Sequence, residues 1–145
     1  MDVGGVRRLP PRPRVLLADD HDRLRGALRD LLVETGFEVV GESGDGADAV
    51  AMARELEPDI VVIDLRMPVL NGLDATRLIK DARPATQVVV LSAFESPELE
   101  RQAREAGAFA YLDKGTMARR LHRVLLGAAV QAVRAAGPGT GAGRS

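Results

Sequence analysis

The stretch that decides the fold is RVLLADD at residues 14–20, where a short apolar run ends in two adjacent carboxylates, Asp19 and Asp20. A second apolar run, IVVI at residues 60–63, ends in the same way, with Asp64. In an open parallel sheet the ligand site lies outside the carboxyl ends of the strands, so acids that end neighbouring strands converge at one edge. The two stretches therefore predict a parallel sheet with three carboxylates at this edge.

Short apolar runs alternate with helical periods along the rest of the chain. The predicted strands cover residues 14–18, 37–42, 59–63, 86–91 and 108–112. A final helix is predicted from an N-cap at Thr116 to about Ala136, Gly36 and Gly107 are placed as helix C-caps, and Gly72 is placed in a turn. Strands separated by helices favour right-handed crossovers, so we expect an α/β doubly wound sheet with helices on both faces.

Length and composition fit one globular domain. The chain has 145 residues, a formal net charge of -1 and 46% hydrophobic residues. The absence of cysteine excludes disulfides and thiolate chemistry. No apolar run approaches the roughly 20 residues that a membrane span needs, and the N-terminus lacks the apolar stretch of a secretory signal. We therefore expect a cytoplasmic protein with no membrane partner.

The two ends of the chain differ in composition from the part between them. Residues 1–13 are rich in proline and arginine and are predicted to be a flexible leader. Residues 127–145 are predicted to be a helical extension followed by a flexible glycine-rich tail. Because no aromatic residue accompanies the arginines of the leader and the net charge is near zero, nucleic-acid binding is not expected of these residues alone. The helical extension either pairs with a second copy or leads into the tail, and the sequence leaves both open.

The turn after the first strand argues against one common class of α/β protein, the Rossmann and flavin-binding proteins. Nucleotide-binding sheets have a glycine-rich turn there, whose backbone amides face a phosphate. Here the turn is Asp19-Asp20-His21-Asp22, and its carboxylates repel a phosphate unless a cation lies between the turn and the phosphate. Oxygen-only ligands indicate a hard cation, and Mg²⁺ is the best candidate. We also expect one of these acids to cap the following helix.

Two further strand ends carry polar side chains. Ser92 follows an apolar run at residues 88–91, and Lys114 follows Asp113 at the end of the last predicted strand. Taken singly, Ser92 is explained as a loop cap and Lys114 as a solvent-exposed charge. Taken with the carboxylates, they supply what phosphoryl transfer to a carboxylate requires, namely a metal and a cation that stabilise charge on the phosphoryl oxygens.

These features belong to a larger set of motifs. The motifs are Ala18-Asp19-Asp20, Asp64-Leu65-Arg66-Met67-Pro68 followed by Asn71-Gly72, Leu91-Ser92-Ala93, Gly107-Ala108, and Tyr111-Leu112-Asp113-Lys114. In these motifs residues 14–126 resemble the receiver domain of two-component response regulators. The pair Asp20-His21 further resembles the branch whose members usually carry a helix-turn-helix output domain. The resemblance implies a flavodoxin-like fold, with five parallel strands in the order 2-1-3-4-5.

The resemblance also assigns roles to residues at the strand ends. It implies that Asp64 is the phosphoacceptor and that Asp19 and Asp20 are the acidic pair that binds Mg²⁺ together with Asp64. The main-chain carbonyl of Arg66 would be a further metal ligand. Lys114 would contact the phosphoryl group. The protein would then be a phosphoacceptor signalling domain and not an enzyme, although it would assist its own phosphorylation and dephosphorylation.

The remaining implications concern switching and partners. Ser92 resembles the switch hydroxyl that moves toward the phosphoryl group, and Tyr111 resembles the aromatic residue whose rotamer follows it. The resemblance implies that a sensor histidine kinase or phosphotransfer protein donates the phosphoryl group. It also implies that a downstream protein binds the face formed by the fourth helix, the fifth strand and the fifth helix.

One position departs from the family pattern. The family commonly has proline after the lysine, often in a cis bond, whereas this chain has Gly115 after Lys114. A non-proline cis bond costs about 2.5 to 4 kcal/mol, so either this bond is trans or the site tolerates strain. We also hypothesise that Phe94, two residues after Ser92, shields the phosphoryl group from water.

Three other functions are weighed against this interpretation. A Mg²⁺-dependent phosphohydrolase of the haloacid dehalogenase type needs a second aspartate two positions after the nucleophile, and Arg66 occupies that position. A receiver-like interaction module that is never phosphorylated is kept open by Gly115. The third alternative is the receiver portion of a DNA-binding transcriptional regulator whose output domain is absent from these residues.

Overall fold

The computed structural model describes residues 12–137, in which strands and helices alternate. The strands are β1 (Arg14–Ala18), β2 (Glu38–Ser43), β3 (Ile60–Asp64), β4 (Gln87–Ser92) and β5 (Ala110–Asp113). The helices are α1 (Asp22–Glu34), α2 (Gly46–Leu56), α3 (Gly72–Ala82), α4 (Pro97–Glu105) and α5 (Met117–Ala136). The predicted leader and tail fall mostly on residues 1–11 and 138–145, which lie outside the described residues.

The sheet has the predicted architecture. Its strands are parallel and lie in the order β2-β1-β3-β4-β5, which confirms the doubly wound fold. The predicted bounds are wrong by one residue for β2, β3 and β4, because pairing continues through the polar residue that ends each apolar run. Asp64 still pairs with Leu91, and Ser92 with Asp113. Strand β5 begins at Ala110 and not at residue 108, because the Ala108 N–H closes the end of α4 on the Ala103 carbonyl at 2.9 Å.

The core lies on both faces of the sheet. On one face Val15 and Leu17 of β1 belong to a buried cluster with residues of α1 and α5. On the other face Leu16 and Ala18 belong to a second cluster with residues of α2, α3 and α4. Every residue of β3 and β4 is buried, as expected for central strands that are covered on both sides. None of the helices in the described part of the chain has the length and hydropathy that a membrane crossing requires.

Helix ends agree with the predictions in part. Gly36 and Gly107 follow helices with φ of 101° and 106°, the left-handed conformation that a C-terminal glycine supplies. Thr116 does precede α5, but its side chain makes no capping bond. The placement of Gly72 in a turn is wrong, since this residue opens α3.

The capping prediction for α1 is also wrong. His21 is the N-cap residue, and within residues 12–137 no side chain caps this helix end. The oxygens of Asp19 are engaged elsewhere, one by the His21 N–H at 2.8 Å and the other by Lys114 at 3.1 Å. Asp22 lies in the first turn, where its charge complements the helix dipole without a capping bond.

Candidate metal and phosphoryl site

Three carboxylates meet at the carboxyl edge of the sheet. Asp19, Asp20 and Asp64 each have a carboxylate oxygen within 4.8 Å of the others. They converge because β1 and β3 are neighbours, with Ala18 opposite Ile63. Asp19 and Asp64 are 2% and 7% exposed, whereas Asp20 is exposed. One open and two buried carboxylates are a donor set that suits a hard cation which keeps some of its water, so the residues fit Mg²⁺.

Lys114 reaches into this cluster from the turn after β5. Its Nζ donates to Asp19 Oδ2 at 3.1 Å and lies 3.3 Å from Asp64 Oδ2. Burial raises the pKa of Asp64, Lys114 opposes this increase, and the charge of Asp19 adds to it. Burial acts to lower the pKa of Lys114, but its bonds to Asp19 and Asp64 outweigh burial and leave that pKa raised. The ammonium therefore stays charged between the two carboxylates.

Ser92 and Tyr111 both contact the backbone of Phe94. The Phe94 N–H donates to Ser92 Oγ at 3.1 Å, and the Tyr111 hydroxyl donates to the Phe94 carbonyl at 2.6 Å. Ser92 is 1% exposed and Tyr111 is 5% exposed, so both side chains point inward. The Ser92 hydroxyl hydrogen stays available for another acceptor, because a hydroxyl donates and accepts at the same time.

The loop between β3 and α3 forms the wall of the site. The Arg66 backbone N–H acts to lower the pKa of Asp64, against the larger effect of burial. The Arg66 guanidinium lies 5.7 Å from the centre of the Phe94 ring, which is within cation–π range. Beside them is a groove of about 650 Å³, lined by Asp20, Leu65, Arg66, Met67, Pro68, Asn71, Leu73, Phe94 and Leu99. The groove reaches the acidic cluster at Asp20.

Gly72 holds the start of α3 against the end of β3. Its N–H donates to the Leu65 carbonyl at 2.8 Å. A Cβ at this position would lie 2.5 Å from the Asp64 carbonyl oxygen and 2.9 Å from the Leu65 Cα. Only glycine allows the helix to approach the backbone of Asp64 this closely.

Sequence reasoning missed one residue that supports the site. The Arg25 guanidinium donates to the main-chain carbonyl of Asp19, to Glu42 at 3.0 Å and to Asp22 at 2.9 Å. It thereby ties β2 and α1 to the backbone of the acidic pair. The only sequence signal for this contact is the spacing of Asp22 and Arg25, which places both on one face of a helix.

The geometry agrees with comparisons to known proteins. The family model described as the response regulator receiver domain matches residues 15–126. Transcriptional regulatory protein PdtaR of Mycobacterium tuberculosis is 46% identical over 101 residues, which cover 70% of this chain and 49% of that protein. Chemotaxis protein CheY of Thermotoga maritima is 39% identical over 101 residues, which cover 70% of this chain and 84% of that protein.

Solved structures agree as well. The signal receiver domain of the putative response regulator NarL from Mycobacterium tuberculosis superposes with a TM-score of 0.77 and 31% identity, and covers 83% of this chain and 98% of that one. The chain spans about half the length of the first curated relatives that it matches. The motifs, the strand order and the match over residues 15–126 lead to one conclusion: this chain belongs to the family of response regulator receiver domains of two-component systems.

Proposed function

We propose that Asp64 accepts a phosphoryl group from a sensor histidine kinase or a phosphotransfer protein, and that the phosphorylated chain changes one surface for a downstream protein. The observation that carries this proposal is the position of Lys114 Nζ, between Asp19 at 3.1 Å and Asp64 at 3.3 Å in the cluster that includes Asp20. A half-buried ammonium beside a buried carboxylate is the arrangement that stabilises a phosphoryl group on that carboxylate.

Asp19, Asp20, Asp64 and the main-chain carbonyl of Arg66 would hold Mg²⁺. The support is the donor set, since hard cations prefer oxygen ligands and keep part of their water. When bound, the ion supplies positive charge that offsets the carboxylates and the phosphoryl oxygens. Without it, three carboxylates whose oxygens lie within 4.8 Å would repel a phosphoryl donor. The metal is therefore required for phosphorylation in this proposal.

Transfer forms a bond between a carboxylate oxygen of Asp64 and phosphorus, while the bond from phosphorus to the donor nitrogen or oxygen breaks and its electron pair leaves with the donor. Lys114 Nζ donates to one phosphoryl oxygen, and the Ser92 hydroxyl donates to another. Hydrolysis of the acyl phosphate by water regenerates Asp64. The domain thus assists its own phosphorylation and dephosphorylation and turns over no other substrate.

The signal then passes through Phe94. Its N–H is bonded to Ser92 Oγ and its carbonyl to the Tyr111 hydroxyl, so a movement of Ser92 toward a phosphoryl oxygen displaces the peptide that holds Tyr111. Tyr111 lies on β5, next to α4 and α5 in the chain. The partner surface in this proposal is the face formed by α4, β5 and α5. Partner binding and phosphorylation strengthen one another to the extent that the partner prefers the phosphorylated conformation.

A second candidate places this chain in a transcriptional regulator. It is favoured by the similarity to PdtaR, a transcriptional regulatory protein, of which the match covers 49%. In both candidates residues 14–126 are the receiver domain, the C-terminal half of α5 is a helical extension of it, and the protein acts in the cytoplasm. The chemistry at Asp64 is also the same in both.

The test is phosphorylation by acetyl phosphate, a small donor that needs no kinase, followed by intact mass measurement. In the presence of Mg²⁺ the parent and the Asp81→Asn control, which changes an exposed aspartate of α3, should each gain one phosphoryl group. Asp64→Asn should gain none, and chelation of the metal should prevent the reaction in the parent. A folded parent that gains nothing would refute the proposal and favour a phosphorylation-independent module.

A further inference from the structure

The turn between β5 and α5 has to place Lys114 without the help of a proline. It consists of Lys114, Gly115 and Thr116, and no peptide bond between residues 12 and 137 is cis. Glycine restricts the backbone less than any other residue, whereas proline fixes φ. A lysine that bridges two carboxylates nevertheless needs a defined backbone. Another group must therefore hold this turn.

The carboxylate of Asp113 spans the turn. Its Oδ1 accepts the Thr116 N–H at 3.0 Å, and its Oδ2 accepts the Thr116 hydroxyl at 2.8 Å. Hydrogen bonds, above all from the Thr116 side chain and then from the Thr116 and Gly115 backbone, hold the pKa of Asp113 below its ordinary value, although burial acts to raise it. Both carboxylate oxygens of Asp113 thus hold the turn formed by residues 114–116 closed.

The other side of the turn is fixed by the sheet. Asp113 pairs with Ser92 in the ladder between β4 and β5, and the Lys114 N–H donates to the Ser92 carbonyl at 2.7 Å. The backbone of Lys114 therefore lies between a strand that is held by hydrogen bonds and a turn that Asp113 closes. A Cβ on Gly115 would lie only 3.1 Å from Asp113 Oδ1, so a larger residue would press on this carboxylate.

We propose that Asp113 is a positioning residue for Lys114. By binding Thr116 it closes the turn and keeps the Lys114 ammonium between Asp19 and Asp64, and so it replaces the restriction that a proline after the lysine would supply. The catalytic part of this inference rests on the proposed function of Lys114. A carboxylate that served only to cap α5 would stabilise the helix but would not affect where Lys114 Nζ lies.

The experiment separates these two roles with two measurements. The chain contains two lysines, Lys80 and Lys114, so ¹⁵N labelling of lysine gives two ammonium signals, which Lys80→Arg assigns. The position and width of the Lys114 signal in metal-free protein report its hydrogen bonds without any phosphorylation. The second measurement is the rate constant of phosphorylation by acetyl phosphate with Mg²⁺.

The variants are Asp113→Ala, Thr116→Val and Thr116→Ser. The matched control is Asp45→Ala, since the Asp45 carboxylate also accepts the N–H of the third residue after it, from Asp48 at 2.7 Å. Asp45 follows β2, at the opposite edge of the sheet from β5. Thermal unfolding of all variants identifies any that do not fold, and Thr116→Val, which removes one hydroxyl, tests the same contact more gently.

We expect Asp113→Ala and Thr116→Val to shift and broaden the Lys114 signal and to lower the rate constant about tenfold, since misplacement by ~1 Å can cost ~100-fold. Thr116→Ser, which keeps the hydroxyl, should leave the Lys114 signal and the rate constant at the parent values, and so should Asp45→Ala. An unchanged Lys114 signal in Asp113→Ala would overturn the inference, and so would an unchanged rate constant in a parent that is phosphorylated. If the parent is not phosphorylated, the proposed function fails, but the signal still decides whether Asp113 positions Lys114.

Discussion

Replacing Gly72 with alanine is the most direct test of how the fold supports the site. The added Cβ would lie 2.5 Å from the Asp64 carbonyl oxygen, while ordinary contacts begin at 3.4 Å, so α3 and the end of β3 must separate by about 0.9 Å. The backbone of Asp64 is held within a buried central strand, and overpacking of this kind costs about 1–3 kcal/mol. The better helix propensity of alanine returns up to ~1 kcal/mol. We therefore expect Gly72→Ala to lower the free energy of unfolding by up to about 2 kcal/mol.

The same displacement should slow phosphorylation, because Asp64 is the proposed acceptor. A shift of about 1 Å at reacting groups costs up to ~100-fold in rate, so a decrease between tenfold and ~100-fold is expected with acetyl phosphate. The control is Gly26→Ala on α1, where the Arg29 Nη2 at 3.6 Å is the nearest atom to an added Cβ. This control should gain roughly 0.5–1 kcal/mol and keep the parent rate.

Urea unfolding followed by circular dichroism gives the stability of each variant, and the time course of intact mass gives its phosphorylation rate. Our reasoning would be refuted if Gly72→Ala were as stable as Gly26→Ala and were phosphorylated as fast. A loss of stability with an unchanged rate would show that the end of β3 does not move with α3.

Three further predictions concern the site itself. In metal-free buffer Asp64→Asn should raise the free energy of unfolding near neutral pH. Burial raises the pKa of Asp64 in the folded protein, so the folded protein is most stable, as far as this group is concerned, below the unfolded-state pKa of about 3.9. That contribution is lost as pH rises through the folded-state pKa, and asparagine, which does not ionise, avoids the loss. Urea unfolding as a function of pH measures this, and a gain that grew toward low pH would contradict it. Phe94→Ala should shorten the lifetime of the phosphorylated form if the ring, which is 57% exposed, shields it, whereas Leu126→Ala on α5 should not. Tyr111→Phe removes the 2.6 Å bond to the Phe94 carbonyl and should cost about 0.5–1.5 kcal/mol in unfolding free energy, with an unchanged phosphorylation rate.

The residues at the strand ends could be predicted from the sequence. Apolar runs identify the strands, and because all strands are parallel, the polar residues that end them share one edge. Asp19, Asp64 and Ser92 follow from this rule alone, since their positions depend on the backbone path of strands that the core holds in place.

The contacts made in the turns could not be predicted. Asp19 accepts the His21 N–H on one oxygen and the Lys114 ammonium on the other, and this division depends on side-chain torsions that no sequence pattern records. The bonds from Thr116 to Asp113 depend on the course of a three-residue turn with glycine at its centre. The contact of Arg25 with Glu42 depends on the distance between α1 and β2 in the folded protein, and no local sequence pattern predicts this distance.

The switch in this proposal depends on main-chain bonds of a single residue. The Phe94 N–H is bonded to Ser92 and its carbonyl to Tyr111, while its ring lies beside the guanidinium of Arg66. Each hydrogen bond contributes about 0.5–1.5 kcal/mol, so breaking or redirecting both changes the balance of two conformations by about 1–3 kcal/mol. This equals the coupling free energy of 1–3 kcal/mol that is typical of allosteric proteins. In this proposal the contacts between Ser92, Phe94 and Tyr111 would therefore suffice to carry the effect of phosphorylation from Asp64 to β5.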